Sequence, residues 1–282
     1  MISMEELKQK VDEIPPLPDL VLRLLEMCRD PEVAPRDIVE VIRHDPAITM
    51  KVLRLCNSTF YGLPRKITSL QEAMVYIGTD ALVNFVLAGQ LSPFYQEEQK
   101  GYGLEPGELW KHAVGTAICA QRVAEQADSS LSGSAFTCGL LHCIGKIILN
   151  AFVVDDFNQL LEMVEKTATP FIEAENKILG ITHAEVGAQI AEHWELPEEI
   201  VAAIRYYQNP LDAEEHAKLV SVVHVGNILC VSFGIGVGSD GLAYVFHPGA
   251  LELLKIKVED LFALSVSIHD QFKNAEALIN IE

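Results

Sequence analysis

The chain has 282 residues, of which 49% are hydrophobic and 22% charged, and its formal net charge is −19. This length suffices for one large domain or two modest ones, and the composition is that of a globular protein, which excludes an intrinsically disordered chain. So acidic a surface repels nucleic-acid phosphates and anionic lipid headgroups, and we therefore expect no binding to nucleic acid or to a membrane surface.

Apolar residues of the first half recur at helical spacing, and strand-like alternation is almost absent. Ser3 and Glu6 predict a capping box for a first short helix. Asp45 and Pro46 predict the N-cap and the first residue of a later helix. That helix should turn three apolar residues inward: Ile48, Val52 and Leu55. Residues 72–91 supply another long apolar face.

The composition changes at residues 92–108, which hold two prolines, three glycines and a polar run. We therefore predict an N-terminal helical bundle over residues 1–92, a linker over 93–107 and a second helical bundle over 108–282. The resulting fold class is all-α, with two helical subdomains packed on each other because each presents more apolar helix surface than a small bundle covers alone.

The second half continues the helical pattern. The stretch 135–152 is apolar nearly all round, so we expect it at the centre of its subdomain. On a later helix Gly187 and Trp194 share a face, which predicts close helix approach at the glycine and a buried indole beside it. Residues 219–238 have the length of a membrane span, but their polar residues and glycines favour a buried helix that runs into a loop.

The cysteines and the N-terminal sequence indicate a cytoplasmic protein. No C-x-x-C pair occurs, and the first ten residues lack the apolar segment of a secretory signal. We therefore expect reduced thiols in the cytoplasm. The chain has six of them: Cys28, Cys56, Cys119, Cys138, Cys143 and Cys230.

Four histidines fall on predicted helices of the second half. A single histidine on a helix is more often a hydrogen-bonded core or surface residue than a ligand. Here the order and setting are informative: WKH, GLLHCIGK, THAEVGAQIAEHWELP and VVHVGN contain His112, His142, His183 and His224. That succession resembles the HD superfamily of metal-dependent phosphohydrolases, in which a His, a His-Asp pair and a later Asp hold metal.

Motifs of the first half resemble one branch of that superfamily. IPPLPDLVLRLLEM, VIRHDPAITMKVLRLCNSTFYG and ITSLQEAMVYIGTDAL, together with the later HWELPEEIVAAI, are similar to the HDOD family of bacterial signalling proteins. The similarity runs from about Ile14 to beyond Asn227. It implies an N-terminal helical bundle packed on a degenerate HD-like bundle, with a regulatory or interaction role and no catalysis.

The resemblance also indicates which residues of this chain occupy the positions of the metal ligands. A two-metal hydrolase needs hard oxygen ligands, above all a bridging carboxylate. At the family positions this sequence has Cys143 for the bridging Asp and Asn227 at or near the later Asp. Tyr206 and Tyr207 stand where cyclic-dinucleotide phosphodiesterases carry paired histidines, and Lys146 follows His142 by one helical turn. We therefore expect no catalytic residue, no cofactor and no bound metal.

Two alternatives remain at this site. His112, His142 and His183 are residual candidates for a divalent metal, and with a Cys143 thiolate they would form a zinc set by residue type. Cysteine is also at home in an apolar core, and the sequence favours that interpretation of Cys143. A reactive Cys143 is disfavoured because an apolar environment raises a thiol pKa.

A polar cluster lies inside the first-half motif: Asp45, Lys51, Arg54 and Asn57. Its helix face is either solvated, with Asn57 capping the helix end, or fastens the two subdomains together. We favour a structural role over a binding role.

The sequence therefore predicts a non-catalytic signal-transduction module that binds a partner signalling protein or a small effector such as a nucleotide. The alternative is a metal-dependent phosphohydrolase acting on a nucleotide or cyclic dinucleotide. A third possibility keeps the fold but makes the HD pocket a nucleotide sensor without turnover.

Overall fold

The structure, a computed structural model, describes residues 3–30, 32–57, 65–167, 169–239, 241 and 244–274. Within these residues the chain forms α-helices and short 3-10 helices and no β-strand, which confirms the predicted all-α class. The helices are α1 (Met4–Asp12), α2 (Asp19–Arg29), α3 (Pro35–Arg43), α4 (Pro46–Cys56), α5 (Leu70–Ile77), α6 (Thr79–Leu91), α7 (Glu108–Ala127), α8 (Ser132–Leu141), α9 (Gly145–Thr167), α10 (Phe171–Leu179), α11 (His183–His193), α12 (Glu198–Tyr206), α13 (Ala217–Ser232), α14 (Pro248–Leu254) and α15 (Val258–Asn274).

The chain divides into two compact units. The larger comprises Met1–Pro15 and Phe94–Ser265, and the smaller comprises Pro16–Pro93 and Val266–Glu282. The larger unit therefore contains α1 as well as α7 to α14, whereas α2 to α6 belong to the smaller unit. The first helix thus packs with α9 and α11, far along the sequence.

The smaller unit follows its sequence signals closely. Asp45 caps α4, because its Oδ1 accepts the main-chain N–H groups of Ala47 at 2.9 Å and Ile48 at 3.0 Å. The three apolar residues expected to face inward from this helix are buried: Ile48, Val52 and Leu55. The apolar stretch 72–91 is not one helix, because Gly78 adopts a φ of +83° and separates α5 from α6.

At the centre of the larger unit, α7 packs against both α8 and α13. Glycines permit this close approach: a Cβ at Gly139 would lie 2.7 Å from Ala117 Cα, and one at Gly226 would lie 2.6 Å from Ala120 N. As expected, the apolar stretch 135–152 supplies much of this core. It breaks at residues 142–144, a turn between α8 and α9, so His142 and Cys143 do not lie within a continuous helix.

The start of α9 sits directly on α11. A Cβ at Gly145 would lie 1.9 Å from the carbonyl oxygen of His183, so no other residue fits there without a shift of main chain. Gly187 of α11 lies at this same contact with Gly145 and also approaches α12, where a Cβ would meet Ile204 Cγ2 at 2.8 Å. Trp194 is buried as predicted, packs edge-on to Phe94, and donates its indole N–H to the Pro15 carbonyl at 3.1 Å.

The segment 93–107, interpreted from its composition as a linker, carries buried side chains of the larger unit. Tyr95 donates its hydroxyl to the Leu140 carbonyl at 2.9 Å, and Tyr102 donates to Glu175 at 2.8 Å. Both tyrosines are completely buried. The main-chain N–H of Gly101 also bonds Asn150 Oδ1 at 2.8 Å.

One helical stretch of the described chain, Ser129–Val154, is long and apolar enough to span a membrane. Of its most apolar window, 67% is buried in the structure, as in the core helix of a globular protein. A second candidate arises only if α5 and the following helix count as one span, and these are bent by 116°. The predicted buried helix within 219–238 is α13, which ends at Ser232 before a Gly-rich turn.

Candidate functional site

Three buried histidines each direct the ring nitrogen Nδ1 at an oxygen atom that accepts a hydrogen bond. His112 of α7 points Nδ1 at the Ile235 carbonyl at 3.2 Å, and His142 points Nδ1 at the Gly139 carbonyl at 2.7 Å. His183, the first residue of α11, points Nδ1 at a carboxylate oxygen of Glu175 at 2.7 Å. A carbonyl only accepts, so Nδ1 carries the hydrogen and Nε2 presents a lone pair in the neutral ring. Metal-binding histidines adopt this arrangement.

His142 is completely buried and lies between two aromatic neighbours. Its ring centroid is 5.2 Å from that of His112 and 4.8 Å, edge-on, from that of Tyr207. Burial lowers the pKa of His142 well below its usual value, and His112 and Lys146 add to this effect. The ring is therefore neutral, and its Nε2 has no hydrogen-bond partner among the described residues.

The equivalent nitrogen of His183 is engaged. The Tyr207 hydroxyl lies 2.5 Å from His183 Nε2 and donates to it, because Nδ1 is already the donor to Glu175. Tyr207 follows the last residue of α12 and is completely buried. Burial raises the pKa of this phenol well above its usual value, so the hydroxyl keeps its proton. Tyr207 thus occupies the position from which His183 would bind a metal ion. We call His112, His142, His183 and Tyr207 the histidine cluster.

Glu175 of α10 is a site residue that the sequence analysis missed. Its side chain is completely buried and accepts hydrogen bonds from the His183 main-chain N–H at 3.0 Å and from the Tyr102 hydroxyl at 2.8 Å. A signal existed in the sequence. Glu175 falls at helical spacing among the buried apolar residues of α10, namely Phe171, Ala174 and Leu179, and a carboxylate on such a face requires partners.

Lys146 also lies inside the protein, with 2% of its surface exposed. Its Nζ donates to the Tyr244 hydroxyl at 3.2 Å and lies 5.2 Å from the centre of the Tyr102 ring. After burial, Tyr244 also contributes to the raised pKa of Tyr207. Tyr102 and Tyr244 were also missed by the sequence analysis, because each comes from a loop far along the chain from α9.

The remaining residues that the sequence analysis assigned to the site differ in their burial and in their contacts. Cys143 is completely buried, and it adds to the raised pKa values of Tyr207 and of Cys230 on α13, for which burial is the largest cause. Asn227 is buried, and neither atom of its amide finds a hydrogen-bond partner among the described residues. Tyr206 is partly exposed, so only Tyr207 of the tyrosine pair enters the cluster.

His224, also on α13, has both ring nitrogens engaged. Nδ1 donates to the Tyr207 carbonyl at 2.8 Å, and Nε2 accepts the main-chain N–H of His247 at 2.9 Å. The hydrogen bond to the Tyr207 carbonyl holds the main chain of Tyr207 in place, and His224 thereby supports the histidine cluster without belonging to it.

Ligand atoms suitable for a metal ion converge elsewhere. Within the described part of the chain, one group of three His, Cys, Asp or Glu side chains places its ligand atoms within 4.8 Å of one another. It consists of the exposed residues Glu198 and Glu215 and the partly exposed His216. None of the histidines in the cluster belongs to it.

Comparison with known proteins now identifies the family. The family model described as HDOD domain matches residues 14–210, which is most of the chain. The chain belongs to the HDOD domain family. The resemblance inferred from the motifs is thereby confirmed.

Three similar proteins show how far the similarity extends. A crystal structure of an HDOD domain protein of unknown function from Geobacter sulfurreducens is 26% identical, covers 98% of this chain and 94% of its own, and has a TM-score of 0.72. A putative phosphohydrolase from Shewanella amazonensis SB2B is 25% identical, with 98% and 97% covered and a TM-score of 0.71. An uncharacterised protein of Treponema pallidum (strain Nichols) is 29% identical over 78% of this chain, which spans only 42% of that relative.

The polar cluster of the HDOD motif lies in the smaller unit. Asn57 ends α4 and binds residue 67, since its amide donates to the Leu53 carbonyl at 2.7 Å and to the Ile67 carbonyl at 2.8 Å and accepts the Ile67 N–H at 2.7 Å. Lys51 borders a shallow groove between α4 and α6, and Arg54 is exposed. With Asp45 as N-cap, two of the four residues thus have a clear structural role.

Proposed function

We propose that this chain is a non-catalytic signal-transduction module of the HDOD family that acts in the cytoplasm by binding a partner protein or a small effector such as a nucleotide. The observation that carries the proposal is the hydrogen bond between the Tyr207 hydroxyl and His183 Nε2. It engages a nitrogen that a hydrolytic metal centre would need.

The donor set around the cluster does not fit a two-metal centre. Such a centre needs several anionic oxygen ligands, and the family positions that supply them hold Cys143 and Asn227 here. The carboxylate that does lie beside the cluster, Glu175, faces Nδ1 of His183 rather than Nε2. The positive charge of Lys146, which also contributes to the lowered pKa of His142, opposes a divalent cation.

The alternative function is a metal-dependent phosphohydrolase acting on a nucleotide or cyclic dinucleotide. Two observations favour it: the ring orientation of His112 and His142, with Nδ1 on a carbonyl, and the similarity to the putative phosphohydrolase from Shewanella amazonensis SB2B. Under this alternative the residual metal ligands are His112, His142 and His183, and a bound ion would first have to displace Tyr207.

The kind of partner follows from charge. With a net charge of −19, the surface repels nucleic acids and anionic membranes, so we propose that the partner is a signalling protein, or a nucleotide held in a locally basic pocket. His142 Nε2 has no hydrogen-bond partner among the described residues and can accept a hydrogen bond. We therefore propose that an effector bound at the histidine cluster supplies the donor.

Restoring the missing carboxylate tests the proposal. We expect that Cys143→Asp, assayed with Mn²⁺ or Fe²⁺ against cyclic dinucleotides, gives no turnover above that of Cys143→Ser. An aspartate at this completely buried position loses its hydration, so its pKa is raised and the variant melts at a lower temperature than Cys143→Ser. Turnover by the aspartate variant would favour the phosphohydrolase. A rise in melting temperature when the wild type meets a cyclic dinucleotide would identify an effector.

A further inference from the structure

Asn227 of α13 and His142 are buried polar residues with hydrogen-bonding atoms that contact no partner. Asn227 has 1% of its surface exposed and His142 has none. Both amide atoms of Asn227 and Nε2 of His142 lack a hydrogen-bond partner among the described residues. Such atoms are rare in native proteins, because a buried polar atom without a partner loses its hydration and gains nothing in return. These three atoms therefore call for a ligand.

The two helical neighbours of Asn227 contact two members of the histidine cluster. His224 and Cys230 lie three residues before and three residues after Asn227, which places Asn227 between them on one side of α13. His224 Nδ1 donates to the Tyr207 carbonyl at 2.8 Å. Cys230 Sγ lies 3.7 Å from the His112 carbonyl oxygen. Asn227 is thus located between the points at which α13 contacts Tyr207 and His112.

His142 lies between the same two residues. Its ring centroid is 5.2 Å from that of His112 and 4.8 Å from that of Tyr207. Moreover, α13 packs on α8, and the last residue of α8 directly precedes His142. The side chain of Asn227 is therefore directed at the part of the histidine cluster where His142 lies.

The donors and acceptors of this pair indicate a small neutral ligand. His142 Nδ1 donates to the Gly139 carbonyl, so Nε2 of the neutral ring accepts a hydrogen bond and repels an anion. The Asn227 amide offers both donors and an acceptor but no charge. Neither residue supplies the negative charge that a hard divalent cation prefers in its ligands. Water both donates and accepts, and it is the usual partner of buried polar atoms that the protein itself leaves unsatisfied.

We propose that His142 and Asn227 bind an internal water molecule, which donates one hydrogen to His142 Nε2 and also hydrogen-bonds the amide of Asn227. The water joins α13 to the turn between α8 and α9 at the centre of the larger unit. This inference goes beyond the proposed function, since the water binds whatever the partner of the protein is. An effector at the histidine cluster has to replace the hydrogen bond that the water donates to His142.

A substitution that keeps the shape of the amide but removes its polarity tests the inference. Asn227→Leu retains the number and branching of the side-chain heavy atoms and cannot hydrogen-bond water. If the water is bound, the variant leaves His142 Nε2 unsatisfied, and the melting temperature should fall by at least about 3 °C. Without the water, the wild-type amide is itself unsatisfied, and an apolar replacement should raise the melting temperature. Asn176→Leu, at an exposed position of α10, is the matched control and should change the melting temperature by less than about 2 °C.

A high-resolution crystal structure of the untagged wild type decides the question even if Asn227→Leu does not fold. We expect one water peak at about 2.7–3.2 Å from both His142 Nε2 and an amide atom of Asn227. The inference is wrong if no peak lies there, if the amide bonds a protein atom instead, or if Asn227→Leu melts at an unchanged or higher temperature than the wild type.

The crystal structure also separates this inference from the proposed function. A metal ion at the site, recognised by its anomalous scattering, would overturn both. A larger molecule retained from the cell would overturn the water site and support the binding of an effector. An unoccupied site in a protein without phosphodiesterase turnover would overturn the water site alone and leave the non-catalytic function standing.

Discussion

Mild acid should lower the free energy of unfolding of this protein, because it protonates His224 in the unfolded chain. Burial lowers the pKa of this imidazole to about 4, against the smaller opposing effect of the Tyr207 carbonyl. The geometry explains why protonation is resisted: Nδ1 already donates to that carbonyl, and Nε2 must keep a lone pair to accept the His247 N–H at 2.9 Å. A proton on Nε2 would break this bond and release the main chain before α14.

The magnitude follows from proton linkage. The unfolded-state pKa of histidine is about 6.5, so between pH 6.5 and about 4 the unfolded chain binds a proton that the folded chain does not. The free energy of unfolding therefore falls as the pH falls through this window, by about 1.4 kcal/mol per pH unit for one group. At pH 5 the loss from His224 amounts to about 2 kcal/mol, and above pH 7 it vanishes.

Urea unfolding of three proteins at pH 7.5 and pH 5.0 measures this loss. His224→Gln cannot take up the proton, so its stability should drop between the two pH values by about 2 kcal/mol less than that of the wild type. His44→Gln, at an exposed position, should behave as the wild type does. Burial also lowers the pKa of His142, so this residue adds its own loss of stability in acid. That loss is the same in all three proteins, because none of them alters His142. The same pH dependence in His224→Gln and in the wild type would refute the reasoning.

Further predictions concern the packing around the site. Trp194→Ala should destabilise the protein by about 3–5 kcal/mol in thermal or urea unfolding, whereas Trp194→Phe keeps most of the ring volume and should cost less, and equal losses in the two variants would contradict this. Gly145→Ala places a Cβ against the His183 carbonyl oxygen and should cost about 1–3 kcal/mol or more. Gly234→Ala, where no atom lies within 4 Å of the added Cβ but φ is +70°, is its control for backbone strain alone, and an equal loss there would contradict the steric account.

Local signals in the sequence predicted the elements but not all of their limits. The Asp45-Pro46 pair fixes a helix start because an N-cap is a short-range interaction, and the structure confirms the cap. Gly78 was overlooked as a helix end because the apolar periodicity continues across it. Tyr95 and Tyr102 were placed in a linker because their hydrogen-bond partners lie 45 and 73 residues away in the chain.

The candidate site, like the fold, could be predicted only in part from the sequence. His112, His142 and His183 were found from their order and setting, since these belong to a motif. The hydrogen-bond partners of these histidines were not predicted, because hydrogen bonds between distant segments leave no periodic pattern in a single sequence. Glu175 is the exception, because a carboxylate on the apolar face of α10 is a visible anomaly.

The proposed function requires that the histidine cluster neither hold a catalytic metal nor hydrolyse phosphodiesters. The most direct measurement is elemental analysis of untagged wild-type protein together with turnover of a cyclic dinucleotide in Mn²⁺, Fe²⁺ or Zn²⁺. We expect less than one metal ion per chain, no turnover and no change of melting temperature on adding metal. One or two ions per chain, with hydrolysis that is lost in a His142→Ala variant that remains folded, would contradict it.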